Sequence, residues 1–101
     1  MNRKLLDKLK LELQQMRLRS TGLRSSELVR LAKSFERTAS KRGKEPTYIN
    51  EALPYLRPLS IPGHPGTLKK GTALSILNHL EGDADAFDAI LPAEGNENEH
   101  E

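Results

Sequence analysis

The sequence predicts a single small α+β domain, because helical and strand-like patterns follow one another along its 101 residues. Apolar residues recur at helical spacing in segments 3–19, 26–35 and 73–80. Three short β-prone segments, 38–41, 47–49 and 59–61, lie between the second and third helical patterns. With 36% hydrophobic and 4% aromatic residues, the core is expected to consist mainly of Leu, Ile, Ala and Val.

The first predicted helix covers residues 3–19, which contain good helix formers and neither Gly nor Pro. One apolar face is marked by Leu5, Leu9, Leu13 and Met16. We expect this face to dock on the rest of the domain. The alternative is that residues 3–19 form a homodimer or bind a partner protein.

The second helix is expected to start at an N-cap provided by Ser25 or Ser26, with Glu27 in its first turn, and to end near residues 35–37. Its buried stripe is predicted to be Leu28, Leu31, Ala32 and Phe35. A turn at 42–44 separates the first two strands, and prolines flank the third. A Pro- and Gly-rich loop at 62–66 leads to the next helix.

The third helix is expected to run through 73–80 and to stop at Gly82. A short helix at 83–92 and a disordered acidic tail at 93–101 then follow. His79, near the expected end of the third helix, is interpreted as a surface residue or a partner of the helix dipole. The predicted organisation is an N-terminal helix at 1–20, a central domain at 21–82, the short helix and the tail.

Composition excludes several classes of function. The absence of cysteine removes disulfide frameworks, thiolate catalysis and zinc sites that need Cys, and three histidines make a histidine metal cluster improbable. We therefore expect no metal and no cofactor. No apolar run is long enough to cross a bilayer, and the N-terminus is charged where a signal peptide is apolar, so we expect a soluble, cytoplasmic protein.

The charge is distributed very unevenly along the chain. Residues 1–80 hold all 16 Lys and Arg against six acidic residues, a net charge of +10, whereas residues 81–101 hold eight acidic residues and no base. The basic segment 1–80 is suited to binding a polyanion such as RNA, and the acidic segment 81–101 is suited to binding the basic segment. A chain with so few aromatic residues is a poor candidate for stacking single-stranded bases.

Several segments carry a family resemblance. They are the helix that starts Ser26-Glu27-Leu28-Val29-Arg30-Leu31 and leads to Phe35, the Arg42-Gly43 turn, Ile61-Pro62 with His64 two places on, and Leu68-Lys69-Lys70-Gly71-Thr72-Ala73-Leu74-Ser75-Ile76-Leu77. Together, residues 26–80 resemble the HicA family, the small toxins of bacterial toxin–antitoxin pairs. The Lys-Gly-Thr followed two residues later by Ser-Ile-Leu is the most specific part of the match.

The resemblance implies an α-β-β-β-α domain similar to a double-stranded-RNA-binding domain, here extended by the N-terminal helix and the short C-terminal helix. It implies a metal-independent endoribonuclease acting on mRNA, neutralised by a cognate antitoxin protein. RNA contacts are expected from Lys69, Lys70 and Thr72 at the start of a helix, and from Arg42 and Lys44 as a phosphate clamp. The alternative function is a protein-interaction or antitoxin-binding domain without RNA activity.

The sequence departs from the family at its catalytic histidine, which usually follows the glycine of the turn. That place reads Gly43-Lys44-Glu45-Pro46, and no histidine precedes His64. Three explanations remain open. Glu45 serves as the general base, His64 supplies the chemistry, or nuclease activity has been lost while RNA or partner binding is kept.

Overall fold

The computed structural model describes residues 1–40, 46–63 and 65–92. Within these ranges the chain forms three helices and a three-stranded antiparallel sheet, which confirms the predicted α+β class. In chain order the elements are α1 (Arg3–Leu18), α2 (Ser25–Ser34), β1 (Arg37–Ser40), β2 (Thr47–Asn50), β3 (Leu59–Ser60) and α3 (Lys70–Ile90). No helix in the described ranges combines the length and the apolar character needed to span a membrane.

The sheet has the strand order β1-β2-β3. Tyr48 of β2 lies opposite Leu59 of β3, and both side chains are buried in the hydrophobic core with the helices. On the alternate positions, Thr38, Thr47 and Ser60 are exposed or half-buried. One face of the sheet therefore packs inward and the other presents hydroxyl groups, as expected for strands whose side chains alternate.

Helix α1 packs antiparallel on α3 through a continuous apolar seam. Its buried residues are Leu6, Leu9, Leu13 and Met16. Leu5, which the sequence pattern placed on this face, is 39% exposed and lies on the flank. The spacing of three, four and three residues keeps one stripe aligned with α3. The expected docking face therefore forms within the chain, shifted from Leu5 to Leu6 at its start.

Ion pairs at seven-residue intervals flank this seam. Arg3 and Lys10 both pair with Asp88, and the Arg17 guanidinium lies 2.7 Å from the Glu81 carboxylate. Residues seven apart lie on nearly the same side of a helix, so these pairs form one row along the contact between α1 and α3. Acidic residues beyond position 80 thus neutralise bases of α1.

The predicted stop at Gly82 is wrong, and so is the separate helix at 83–92. Helix α3 runs without a break from Lys70 to Ile90, with Gly82 on its exposed side. Directly after the glycine, Asp83 is buried and held by Arg37, and Ala84 joins the core. These tertiary contacts outweigh the cost of about 1 kcal/mol of a glycine inside a helix.

The N-cap of α2 is Arg24 and not Ser25 or Ser26, which corrects the expected start by one or two residues. Glu27 still acts in the first turn, since its carboxylate accepts a hydrogen bond of 3.0 Å from the Arg24 backbone N–H. The buried Ser25 hydroxyl donates instead to the carbonyl of Pro62. Ser25 therefore fixes the loop after β3 rather than capping its own helix.

Candidate nucleic-acid interface

The starts of α2 and α3 are brought together by a short stretch of β-type pairing. Arg24 and Thr67 form an antiparallel bridge, and the Leu68 N–H donates to the Leu23 carbonyl at 2.8 Å. Helix α2 begins one residue after this bridge, and α3 begins three residues after it. The positive ends of two helix dipoles therefore lie in one region of the surface.

The start of α3 carries two lysines and no capping side chain. Lys69 is the N-cap, Lys70 is the first helical residue, and both are exposed. No acidic residue stands in the first turn. By contrast, the Asn2 side chain caps α1 by accepting from the Leu5 N–H at 2.8 Å. Cations at this end of a helix are unfavourable by themselves, but they suit a bound anion such as phosphate.

A groove of about 520 Å³ lies between β3 and the first half of α3. We call it the α3 groove. Gly71 and Thr72 line its head, Ser75 and His79 continue along the helix, and Ser60 faces them from β3. Ser75 and His79 lie three and seven residues after Thr72, which places all three on one side of α3.

A second groove, of about 710 Å³, lies along the outer side of α2. We call it the α2 groove. Val29 gives it an apolar wall, while Arg30 and Lys33 supply two exposed cations. Neither cation forms a salt bridge with any residue in the described ranges. Gly63 closes the groove at the end where α2 starts.

Consecutive residues of the Pro62–Gly63 segment line the two grooves. Pro62 lines the α3 groove and Gly63 lines the α2 groove. Ser25 holds this segment through the Pro62 carbonyl, and the Arg24 guanidinium donates to the Pro65 carbonyl at 3.3 Å. The backbone on both sides of position 64 is thus tied to the start of α2.

Internal ion pairs take up part of the positive charge, and most of the remaining charge lies around the grooves. Among the residues that the structure describes, five bases form an ion pair with an acidic side chain: Arg3, Lys10, Arg17, Arg19 and Arg37. Eight bases in the same ranges form no such pair: Lys4, Lys8, Arg24, Arg30, Lys33, Arg57, Lys69 and Lys70. Arg24, Arg30, Lys33, Lys69 and Lys70 are in or beside the two grooves, so most of the remaining charge is concentrated there.

Two carboxylates are held ionised by these contacts. The Arg19 guanidinium and then the Arg24 backbone N–H donate to Glu27 and lower the pKa of that carboxyl group. Lys10, followed by Arg3, lowers the pKa of Asp88. Both carboxylates therefore stay negative at neutral pH, and their direct ion pairs are with bases of α1 and with Arg19.

The structure brings together three of the predicted site residues, Lys69, Lys70 and Thr72, at the start of α3. Arg42, Lys44, Glu45 and His64 lie outside the described residues. His79 is not near a helix end, because α3 continues to Ile90. Sequence reasoning missed Arg30 and Lys33, whose only signal is their position opposite the buried stripe of α2.

Comparison with known proteins adds no relative to this description. No protein-family model, curated protein or solved structure matches the chain.

Proposed function

We propose that the chain is a HicA-like RNA-binding protein whose contact surface is the start of α3 together with the α2 and α3 grooves. The observation that carries this proposal is the α3 start, where Lys69 and Lys70 surround helix amides that no side chain caps. This arrangement favours phosphate over any neutral ligand. Arg30 and Lys33 extend the positive surface along α2.

The element order also supports the proposal. Helix α2, the three strands and α3 follow one another in the α-β-β-β-α order that the family resemblance implies. Within the described residues, the segments that carry the resemblance fall on α2, directly after β3 and on the first part of α3, all beside the two grooves.

Duplex RNA is the favoured ligand class. Duplex RNA is gripped through its shape, phosphates and 2′-hydroxyls, which requires cations and hydroxyls on a rigid surface. Of the four aromatic residues, Phe35, Tyr48 and Phe87 are buried, and the exposed Tyr55 lines neither groove. Within the described residues, the two grooves therefore provide no Phe, Tyr or Trp side chain on which single-stranded bases could stack.

The proposal assigns binding and not cleavage, because Lys44-Glu45-Pro46 stands where the family has its histidine. Cleavage of structured RNA in the presence of a chelator, abolished by His64→Ala, would add nuclease activity to the assignment. Loss of cleavage with Glu45→Gln instead would identify the carboxylate as the base. A cognate antitoxin that covers this surface is the partner implied by the same resemblance.

The decisive experiment is a salt titration of binding to an RNA duplex of about 16 base pairs. We expect log Kd to rise linearly with log salt, with a slope near 0.9 per phosphate neutralised. Lys69→Ala and Lys70→Ala should each reduce that slope by up to about one. Lys4→Ala and Lys8→Ala remove the same charge from exposed sites on α1 and serve as matched controls.

Two results would overturn the proposal. One is the absence of binding at low salt by a protein whose fold is verified by circular dichroism. The other is equal loss of affinity in the α1 variants and the α3 variants, which would mean that net charge alone attracts RNA and that the start of α3 is no contact site.

A further inference from the structure

The α3 groove contains a row of polar side chains that the fold does not use. Ser60, Ser75 and His79 are exposed, and Thr72 is half-buried. None of the four side chains forms a hydrogen bond or an ion pair with any residue in the described ranges. The core side of the same helix is formed by Ile76, Leu77 and Leu80.

The chemistry of this row differs from that of the lysines at its head. An ammonium group only donates hydrogen bonds, whereas a hydroxyl and a neutral imidazole both donate and accept. A ribose 2′-hydroxyl also donates and accepts, and it is the group that distinguishes RNA from DNA. Lysines can therefore hold phosphates of either nucleic acid, whereas the hydroxyls and the imidazole can both donate to and accept from the 2′-hydroxyl of a ribose.

The dimensions of the groove are compatible with phosphate contacts at the lysines and ribose contacts further along the helix. Its volume of about 520 Å³ is within the range of roughly 300–1,000 Å³ that is typical of small-ligand sites. Thr72 and His79 are about 10 Å apart along the helix axis, given a rise of about 1.5 Å per residue. A phosphate at Lys69 and Lys70 would thus leave His79 free to meet a sugar further along the strand.

We infer that the α3 groove binds riboses of the strand whose phosphate is held at the start of α3, with Ser60, Thr72, Ser75 and His79 conferring a preference for RNA over DNA. This inference rests on the proposed function and adds the ligand group that the site discriminates. Ser75 and His79 are its main contacts because both are exposed on the helix. Ser60 and Thr72 complete the two walls.

The test compares the affinities of the full chain for RNA and DNA duplexes of the same sequence, at one salt concentration. We expect the unmodified protein to prefer RNA. Ser75→Ala and His79→Ala should each reduce the RNA/DNA affinity ratio by about five- to tenfold, the effect of losing one hydrogen bond, while the affinity for DNA stays unchanged. Both variants should fold, because alanine is a strong helix former at an exposed position.

Three control variants distinguish ribose recognition in the α3 groove from a general effect on nucleic-acid binding. Ser75→Thr keeps the hydroxyl and should keep the ratio. Thr38→Ala removes an exposed hydroxyl from β1, away from both grooves, and should also leave the ratio unchanged. The double variant Lys69→Ala/Lys70→Ala should weaken RNA and DNA by equal factors, because phosphate contacts do not read the sugar.

The outcomes distinguish the two proposals. A protein that binds RNA with the expected salt dependence, but keeps its RNA/DNA ratio in both Ser75→Ala and His79→Ala, overturns the groove assignment and leaves RNA binding intact. Equal affinity of the unmodified protein for RNA and DNA does the same. Absence of binding to either duplex overturns the proposed function itself.

Discussion

Arg37 and Asp83 form a fully buried, two-pronged ion pair across 46 residues of sequence. The Arg37 Nε and one terminal nitrogen lie 2.7 and 2.8 Å from the two carboxylate oxygens. Its other terminal nitrogen donates to the carbonyls of Tyr48 and Arg57, at 2.7 and 3.0 Å. One guanidinium group thus connects β1, β2 and the loop before β3 to the middle of α3, and it helps to set the position of the helix that lines the α3 groove.

Removing the carboxylate from this pair should be strongly destabilising. Asp83→Ala leaves a buried guanidinium without its counter-charge, and we expect it to lower the free energy of unfolding by about 3–5 kcal/mol. Urea denaturation followed by circular dichroism measures this loss. Asp85→Ala, two residues along the same helix and exposed, is the matched control and should change stability by less than about 0.5 kcal/mol. Similar midpoints for the two variants would contradict the structural role of Asp83.

The same ion pair shows where sequence reasoning reached its limit. Periodicity and β propensity located α1, α2, the three strands and the first half of α3, because both signals are local. The stop at Gly82 failed because the contact that carries α3 past it is with Arg37. No local pattern in the sequence pairs those two residues.

The candidate site divides in a similar way. Lys69 and Lys70 could be predicted, since two lysines beside a helix start are visible in the sequence. The inclusion of Arg30 and His79 could not, because it depends on how α2, β3 and α3 pack around the Pro62–Gly63 segment. That segment is held by Ser25, whose hydroxyl the sequence pattern assigned to capping.

Two helical glycines offer a paired test of stability against binding. A Cβ added to Gly82 or to Gly71 would meet no atom within 4 Å. Gly82→Ala should therefore raise the free energy of unfolding by about 1 kcal/mol, the difference in helix propensity, and leave RNA affinity unchanged. Gly71→Ala should not destabilise the fold, but its methyl group would stand at the proposed phosphate site and weaken RNA binding. Equal RNA affinity in the two variants would argue against close approach of phosphate to the start of α3.

The row of ion pairs between α1 and α3 should make stability depend on pH in the acidic range. Lys10 and Arg3 lower the pKa of Asp88 below its ordinary value of 3.8. A lowered carboxyl pKa stabilises the folded state above the ordinary value, and this contribution is lost as the pH falls through the lowered one. We expect the stability difference between the unmodified protein and Asp88→Asn to be constant above pH 3.8 and to shrink below it.

Urea denaturation of both proteins at a series of acidic pH values measures this difference. Added salt should reduce it, because the Asp88 side chain is about one-third exposed and its pairs are screened. A difference that grew as the pH was lowered would show that the sign of the Asp88 contribution is wrong.

The alternative to packing of α1 on its own chain is that α1 forms a homodimer. The stripe from Leu6 to Met16 is covered by α3, while Leu11 and Leu18 remain 54% and 89% exposed, one heptad apart. We expect a monomer by light scattering, because two separate leucines give far less apolar area than a stable dimer needs. A dimer mass that reverted to monomer in Leu11→Gln/Leu18→Gln would instead identify this face as an interface.

We expect the acidic end of the chain to compete with RNA for the basic surface. Glu81 pairs with Arg17, Asp83 with Arg37, and Asp88 with Arg3 and Lys10, whereas Arg30 and Lys33 of the α2 groove form no such pair within the described residues. Segment 93–101 adds four glutamates after Pro92, whose carbonyl accepts from the Arg3 Nε at 3.2 Å. A tethered acidic segment competes with RNA at high effective concentration.

Deleting residues 93–101 should therefore strengthen RNA binding at low salt, and the gain should vanish as the salt concentration rises and the Debye length shrinks. A full-length variant in which Glu94, Glu97, Glu99 and Glu101 are replaced by Gln separates charge from length, and it should reproduce the gain. If both proteins bind RNA with the affinity of the unmodified chain, the acidic segment does not compete for the surface. If only the deletion strengthens binding, the competition is steric, since the glutamate charges would then contribute nothing.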